Sequence, residues 1–183
     1  NCPKYYVIRD LILQYDRGII MIYCDFVHNV GLDRIGKFLE EVMGYSKWNM
    51  NTDNNDYDSR YITISSDIST DERTQIQKVI NTPENMYGNI IKVILVGPAG
   101  ALGLNFKGIQ LVIIGNPSFT MAQTDQVIAR AVRNYSHKHL PKDKQQVRVV
   151  MLLAVEPAIE SDKKINNKKK IESDKKINNK KKI

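Results

Sequence analysis

The chain has 183 residues, 42% of them hydrophobic and 26% charged, which is ordinary for one globular domain with a real core and hardly enough for two. No apolar run approaches the roughly 20 residues of a membrane span and no signal peptide opens the chain, so a soluble intracellular protein without membrane contact is expected. The net charge of +7 sits almost wholly at one end: IESDKKINNKKK occurs twice from Ile159, so the repeats carry +6 and residues 1–158 only +1.

In chain order, PKYYVIRDLILQY sets Tyr5, Ile8, Ile12 and Tyr15 at helical spacing behind Pro3. GIIMIYC, residues 18–24, reads as a buried strand. A helix follows, with Leu32, Ile35, Leu39 and Val42 on one face and Gly44 as its stop. SKWNMNTDNNDYDSR reads as a polar loop or insertion and RYITIS as a second strand. Ser69 and Glu72 form a capping box for a helix ending near Asn81. IIKVILV (90–96), LVIIG (111–115) and VRVVMLLAV (147–155) predict three more strands, with a helix over about 119–135 between the last two. Continuous apolar strands separated by helices imply an α/β fold, a three-layer sandwich around a mainly parallel sheet.

Helical steps of four and three put Gln126, Arg130 and Arg133 of QVIARAVR on one face, while Ile128, Val132 and Tyr135 fall on a face predicted to pack. Taken alone, an amide and two arginines describe the solvated side of a surface helix.

The third strand runs into GPAGALGLNFKG, where Gly97, Gly100 and Gly103 recur every three residues. Glycines after a strand let backbone N–H groups approach phosphate or sugar. A dinucleotide-binding oxidoreductase needs a helix opening at those glycines, and the next strand arrives too soon. No GxxxxGK[ST] loop occurs and no Asp-Glu pair ends an apolar strand, so any nucleotide site is only partly supplied by this chain. Cys2, Cys24 and the pair His137 and His139 form no ligand cluster, and no metal site is expected.

The order of IYCDF, the TDER helix, VILVGPAGALGLNFKG and QVIARAVR resembles the C-terminal RecA-like lobe of superfamily 2 helicases and translocases, a P-loop NTPase fold. IYCDF is similar to the fourth conserved block. Gly100, Gly103 and Asn105 meet the fifth in its Swi/Snf-type form, and QVIARAVR is similar to the sixth, Gln-x-x-Gly-Arg-x-x-Arg. RNYSHKHLP resembles an Arg-x-x-Ser-His-x-x-Leu-Pro extension of helicase-like ATPases of large cytoplasmic DNA viruses, including poxviral early transcription factors. The resemblance covers nearly all of residues 1–158. Ala129 departs from the usual Gly, Ser66 from a common Gly, and Gly97 and Pro98 stand where Ser or Thr is frequent.

The resemblance implies that Arg130 and Arg133 are catalytic, Arg133 as the arginine finger and Arg130 as a second phosphate clamp. It implies that Gly103, Asn105 and Gln126 face ATP, and that Asp25, Phe26, Gly97 and Gly100 approach the nucleic-acid backbone. Asp25 reads equally as a turn cap beside Asn29, and Phe26 as core. ATP and Mg2+ would be bound mainly by a lobe absent from this chain, so the isolated lobe is expected to be inactive. The partners implied are an N-terminal RecA-like lobe, DNA or RNA, and the transcription machinery of a virus, in host cytoplasm or virion. The alternative is a non-catalytic RecA-like module that binds nucleic acid or protein. Residues 159–183 are disordered by composition, either a basic arm for nucleic acid or a low-complexity end without a role.

Overall fold

The computed structural model describes residues 2–15, 17–51, 59–100, 105–116, 120–133 and 136–154. The elements below lie in one compact unit, residues 1–153. The repeated tail, Gly103 and Tyr135 fall outside the described residues.

Six strands form one sheet: β1 (Ile19–Tyr23), β2 (Ser46–Lys47), β3 (Arg60–Ile64), β4 (Val93–Val96), β5 (Ile109–Ile114) and β6 (Arg148–Met151). Their order is β2-β3-β4-β1-β5-β6, and every pairing is parallel. Parallel neighbours need crossovers, and α1 (Pro3–Leu13), α2 (Leu32–Met43), α3 (Thr70–Ile80) and α4 (Met121–Ala131) cover the sheet.

Side chains alternate across a strand, so each apolar strand feeds two cores. Ile20, Ile22, Val93, Leu95, Leu111 and Ile113 pack with Ile8 and Ile12 of α1 and Leu32, Ile35 and Leu39 of α2. Met21, Tyr23, Ile94, Val96, Val112 and Ile114 pack with Ile76 and Ile80 of α3 and Val127 and Ala131 of α4. This is the expected three-layer sandwich, with α1 and α2 on one face and α3 and α4 on the other.

Local signals explain most boundaries. Gly44 caps α2 at φ 69°, the left-handed region that glycine enters without penalty. The Ser69 hydroxyl accepts from Glu72 N at 3.2 Å and caps α3. Asn85, fully buried, donates to Ile80 O and accepts from the amides of Ile90 and Ile91, which satisfies a crossover that would otherwise bury orphan backbone groups.

Three expectations need correction. The polar stretch after α2 contains β2 and a buried Trp48, whose ring joins the α3 side of the core. Val42 is 53% exposed, and Met43 packs on the core in its place. On α4 the buried stripe is Thr124, Val127 and Ala131, while Val132 is 50% exposed. The small residues carry the packing because α4 lies close against β5, where a methyl fills the space a larger side chain would need.

Candidate functional site

All six strands point the same way, so the loops after β1, β3, β4 and β5 gather along one edge, where open α/β sheets place their ligands. Strand-end amides bind the edge together: Gly97 N donates to Ile64 O (3.0 Å), Cys24 N to Val96 O (3.2 Å) and Gly115 N to Tyr23 O (2.8 Å).

Asp25 ends β1. Its carboxylate accepts from the Tyr23 hydroxyl (2.6 Å) and from Asn116 Nδ2 (3.2 Å), while its own amide donates to Asn116 Oδ1 (3.2 Å). The two turns after β1 and β5 are therefore tied through one carboxylate and one amide 91 positions apart. Asn116 partners Asp25 in the cap role that Asn29 was expected to share, and Asn29 instead sits at φ 60°. Phe26, 60% exposed, is not core. Beside them the Cys24 side chain is buried, and burial pushes its thiol up, leaving it an inert packing group.

The glycine turn after β4 leans on β3. A Cβ on Gly100 would lie 2.1 Å from Ile64 O, and one on Gly97 would lie 3.0 Å from Val27 Cγ2. Arg73, the arginine of TDER, fastens this turn from α3: Nη1 donates to Ala99 O (3.3 Å) and Nη2 to Ser65 O (2.8 Å). No sequence pattern reveals this clamp, because both acceptors are backbone carbonyls.

The remaining candidates lie on the α3 and α4 face. Asn105 is pinned through its backbone: Asn81 Nδ2 donates to Asn105 O (2.9 Å), and Asn105 N donates to Gln77 Oε1 (3.4 Å). Its Oδ1 is buried and has no hydrogen-bond partner among the described residues. The neighbouring Phe106 packs in the cluster that holds Val127 and Ala131. Gln126 is exposed, and Arg130 is half-buried at about 60° around α4 from Val127.

Arg133 lies beyond the helix, which corrects the expectation of a helical face ending on it. α4 closes at Ala131, with Val132 as C-cap at φ −111° and ψ 59°. Neither arginine side chain has a hydrogen-bond or ion-pair partner among the described residues. Ala129 is exposed, so its extra methyl disturbs no packing within the lobe.

The candidates thus fall into two groups: Asp25, Phe26, Gly97 and Gly100 along the strand-end edge, and Asn105, Gln126, Arg130 and Arg133 on the α3 and α4 side. Gly103 lies outside the described residues. Among the described residues no three His, Cys, Asp or Glu side chains are grouped to hold a metal, and no helix is long and apolar enough to cross a membrane.

An all-parallel, three-layer lobe with helices on both faces of the sheet is a RecA-like α/β domain. The chain belongs to the helicase conserved C-terminal domain family, whose pattern matches residues 3–135. It is 38% identical over 97 residues to the termination factor NPH-I homolog of African swine fever virus, a match over 53% of this chain and 14% of that protein. It is 29% identical over 143 residues to a putative ATP-dependent RNA helicase of Acanthamoeba polyphaga mimivirus, over 78% of this chain and 24% of that one. This chain therefore spans a quarter or less of those relatives. Among solved structures the C-terminal part of the Fun30 ATPase domain superposes with a TM-score of 0.58 at 16% identity, covering 82% of this chain and 40% of that one, and shows the shared fold.

Proposed function

We propose that this lobe completes the ATPase centre of a two-lobed motor that moves on DNA or RNA, in the transcription of a large DNA virus. ATP and its Mg2+ are held mainly by an N-terminal RecA-like lobe, and Arg130 and Arg133 reach the phosphates from this one. The observation that carries the reading is the pair of guanidinium groups without partners among the described residues on the α4 side. Arg73, in contrast, is engaged by two carbonyls and Arg9 by Asp10. A planar fork that stays charged suits bidentate contact with phosphate oxygens.

In this reading Arg133 stabilises the charge that builds on the transferred phosphoryl group, and Arg130 orients the phosphates. Gln126 bonds the nucleotide or its neighbours, and the free Oδ1 of Asn105 accepts a donor once the lobes close. Nucleic acid runs along the strand-end edge, where Phe26 offers a stacking face and the glycine turn offers backbone N–H groups. Asp25, occupied by Tyr23 and Asn116, shapes that edge. The names of the relatives above, a termination factor homolog and an RNA helicase, support the link to viral transcription.

The test mixes this chain with an N-terminal RecA-like lobe of a relative and follows ATP turnover with nucleic acid present. Stimulation that is lost on Arg130→Ala supports the motor. Nucleic-acid binding that ignores Arg130 and Arg133 and vanishes on deleting residues 159–183, without any stimulation, identifies a binding module instead.

A further inference from the structure

α4 ends at Ala131 without a glycine, and Val132 N still reaches back to Ile128 O at 3.0 Å, so the helix itself does not aim Arg133. Something else must set the direction of the chain there. Ser136 holds the Arg133 carbonyl twice, by its amide (3.1 Å) and by its hydroxyl (2.8 Å). The same hydroxyl lies 2.7 Å from His137 Nδ1, and His137 Nε2 is hydrogen-bonded to the carbonyl of Ile109, the first residue of β5. The carbonyl of Ser136 accepts from Gly108 N at 3.0 Å.

Ser136 and His137 are 5% and 9% exposed, and Ile109 is fully buried in the sheet. A continuous set of buried polar contacts therefore runs from the backbone of Arg133 to the rigid centre of the fold. Buried polar groups with their partners in place fix one geometry, and loss of a partner loosens it. Ile109 O can only accept, so Nε2 carries the hydrogen there; the serine's single hydrogen serves either Nδ1 or the Arg133 carbonyl, which the Ser136 amide holds in both cases.

We infer that Ser136 and His137 are positioning residues for the hydrolytic step, a latch that references Arg133 to β5 so that its guanidinium meets the nucleotide in one orientation. This rests on the reading of Arg133 given above. The latch touches no ligand itself; its effect passes through Arg133. A misplacement of about 1 Å in a catalytic group costs on the order of 10²-fold in rate, which sets the scale of the expected loss.

The experiment measures kcat and ATP KM of the reassembled two-lobed motor carrying Ser136→Ala or His137→Gln, each alone and combined with Arg133→Ala. A thermal melt of each variant chain confirms folding, and Ser136→Ala keeps the assay informative should His137→Gln fail to fold. The latch predicts a fall in kcat of about 10-fold to 100-fold with KM changed less than about threefold, and no further fall in the Arg133→Ala background. An equal fall in both backgrounds makes the pair a structural support and overturns the latch. Unchanged kcat in folded Ser136→Ala overturns it as well. If Arg133→Ala itself leaves kcat intact, the motor reading fails first and takes the latch with it.

Discussion

Arg133→Ala in the reassembled two-lobed motor is expected to lower kcat by about 10³-fold or more while ATP KM stays within about threefold. The guanidinium acts on charge that exists mainly in the transition state, so its loss raises the barrier without weakening ground-state binding. Folding should be untouched, because the side chain is exposed and makes no bond within the described residues. Only its carbonyl is used structurally, by Ser136, and alanine retains that carbonyl. Steady-state kinetics and a thermal melt together check both halves. A fall in KM-dependent binding with kcat preserved would place Arg133 on the ground-state phosphate instead.

Gly100→Ala is expected to damage the fold itself, by about 2–4 kcal/mol, which for a domain of this size lowers Tm on the order of 10 °C. The new Cβ would stand 2.1 Å from Ile64 O, a backbone atom that cannot rotate away. Ile64 O already accepts from Gly97 N, so yielding to the methyl also strains the strand-end ladder. Gly97→Ala is the control: its Cβ would meet a Val27 methyl at 3.0 Å, which a small side-chain shift relieves at about 1 kcal/mol or less. The contrast matters for function, because both glycines are proposed to meet nucleic acid. Binding lost in Gly100→Ala reports on the turn's shape, whereas binding lost in Gly97→Ala, with the fold intact, reports on the contact surface.

The layered architecture was legible because its causes are local. IIMIY has no charged side chain for solvent, Gly44 takes a left-handed φ, and Ser69 caps the next helix. What escaped the pattern is carried by small side chains and by distant partners. Thr124 and Ala131 do not advertise a core stripe, while Ile128 and Val132 do, so the packing face of α4 read wrongly from periodicity. No Gly or Pro marks the end of α4, which is why Arg133 read as helical. Trp48 sits in a polar run and is buried only because β2 adds to the sheet edge.

The site divides along the same line. The ordered blocks were visible through the resemblance, and their described members fall into two groups, one along the strand-end edge and one on the α3 and α4 side. The supports were not visible: Arg73 acts on backbone carbonyls, Asp25 meets Asn116 across 91 positions, and His137 meets Ile109 across 28. The histidine pair shows no ligand cluster in the sequence, yet His137 is buried and bonded to β5. Side chain to backbone bonds of this kind leave no spacing in a single sequence.

The most direct measurement is the structure of the reassembled lobes trapped with ADP and aluminium fluoride, a mimic of the phosphoryl group in flight. The Arg133 guanidinium is expected within hydrogen-bond distance of the fluoride, Arg130 on the neighbouring phosphate oxygens, and the Ser136 amide still on the Arg133 carbonyl. Both guanidinium groups turned away from the fluoride, with the lobes closed around it, would contradict the account.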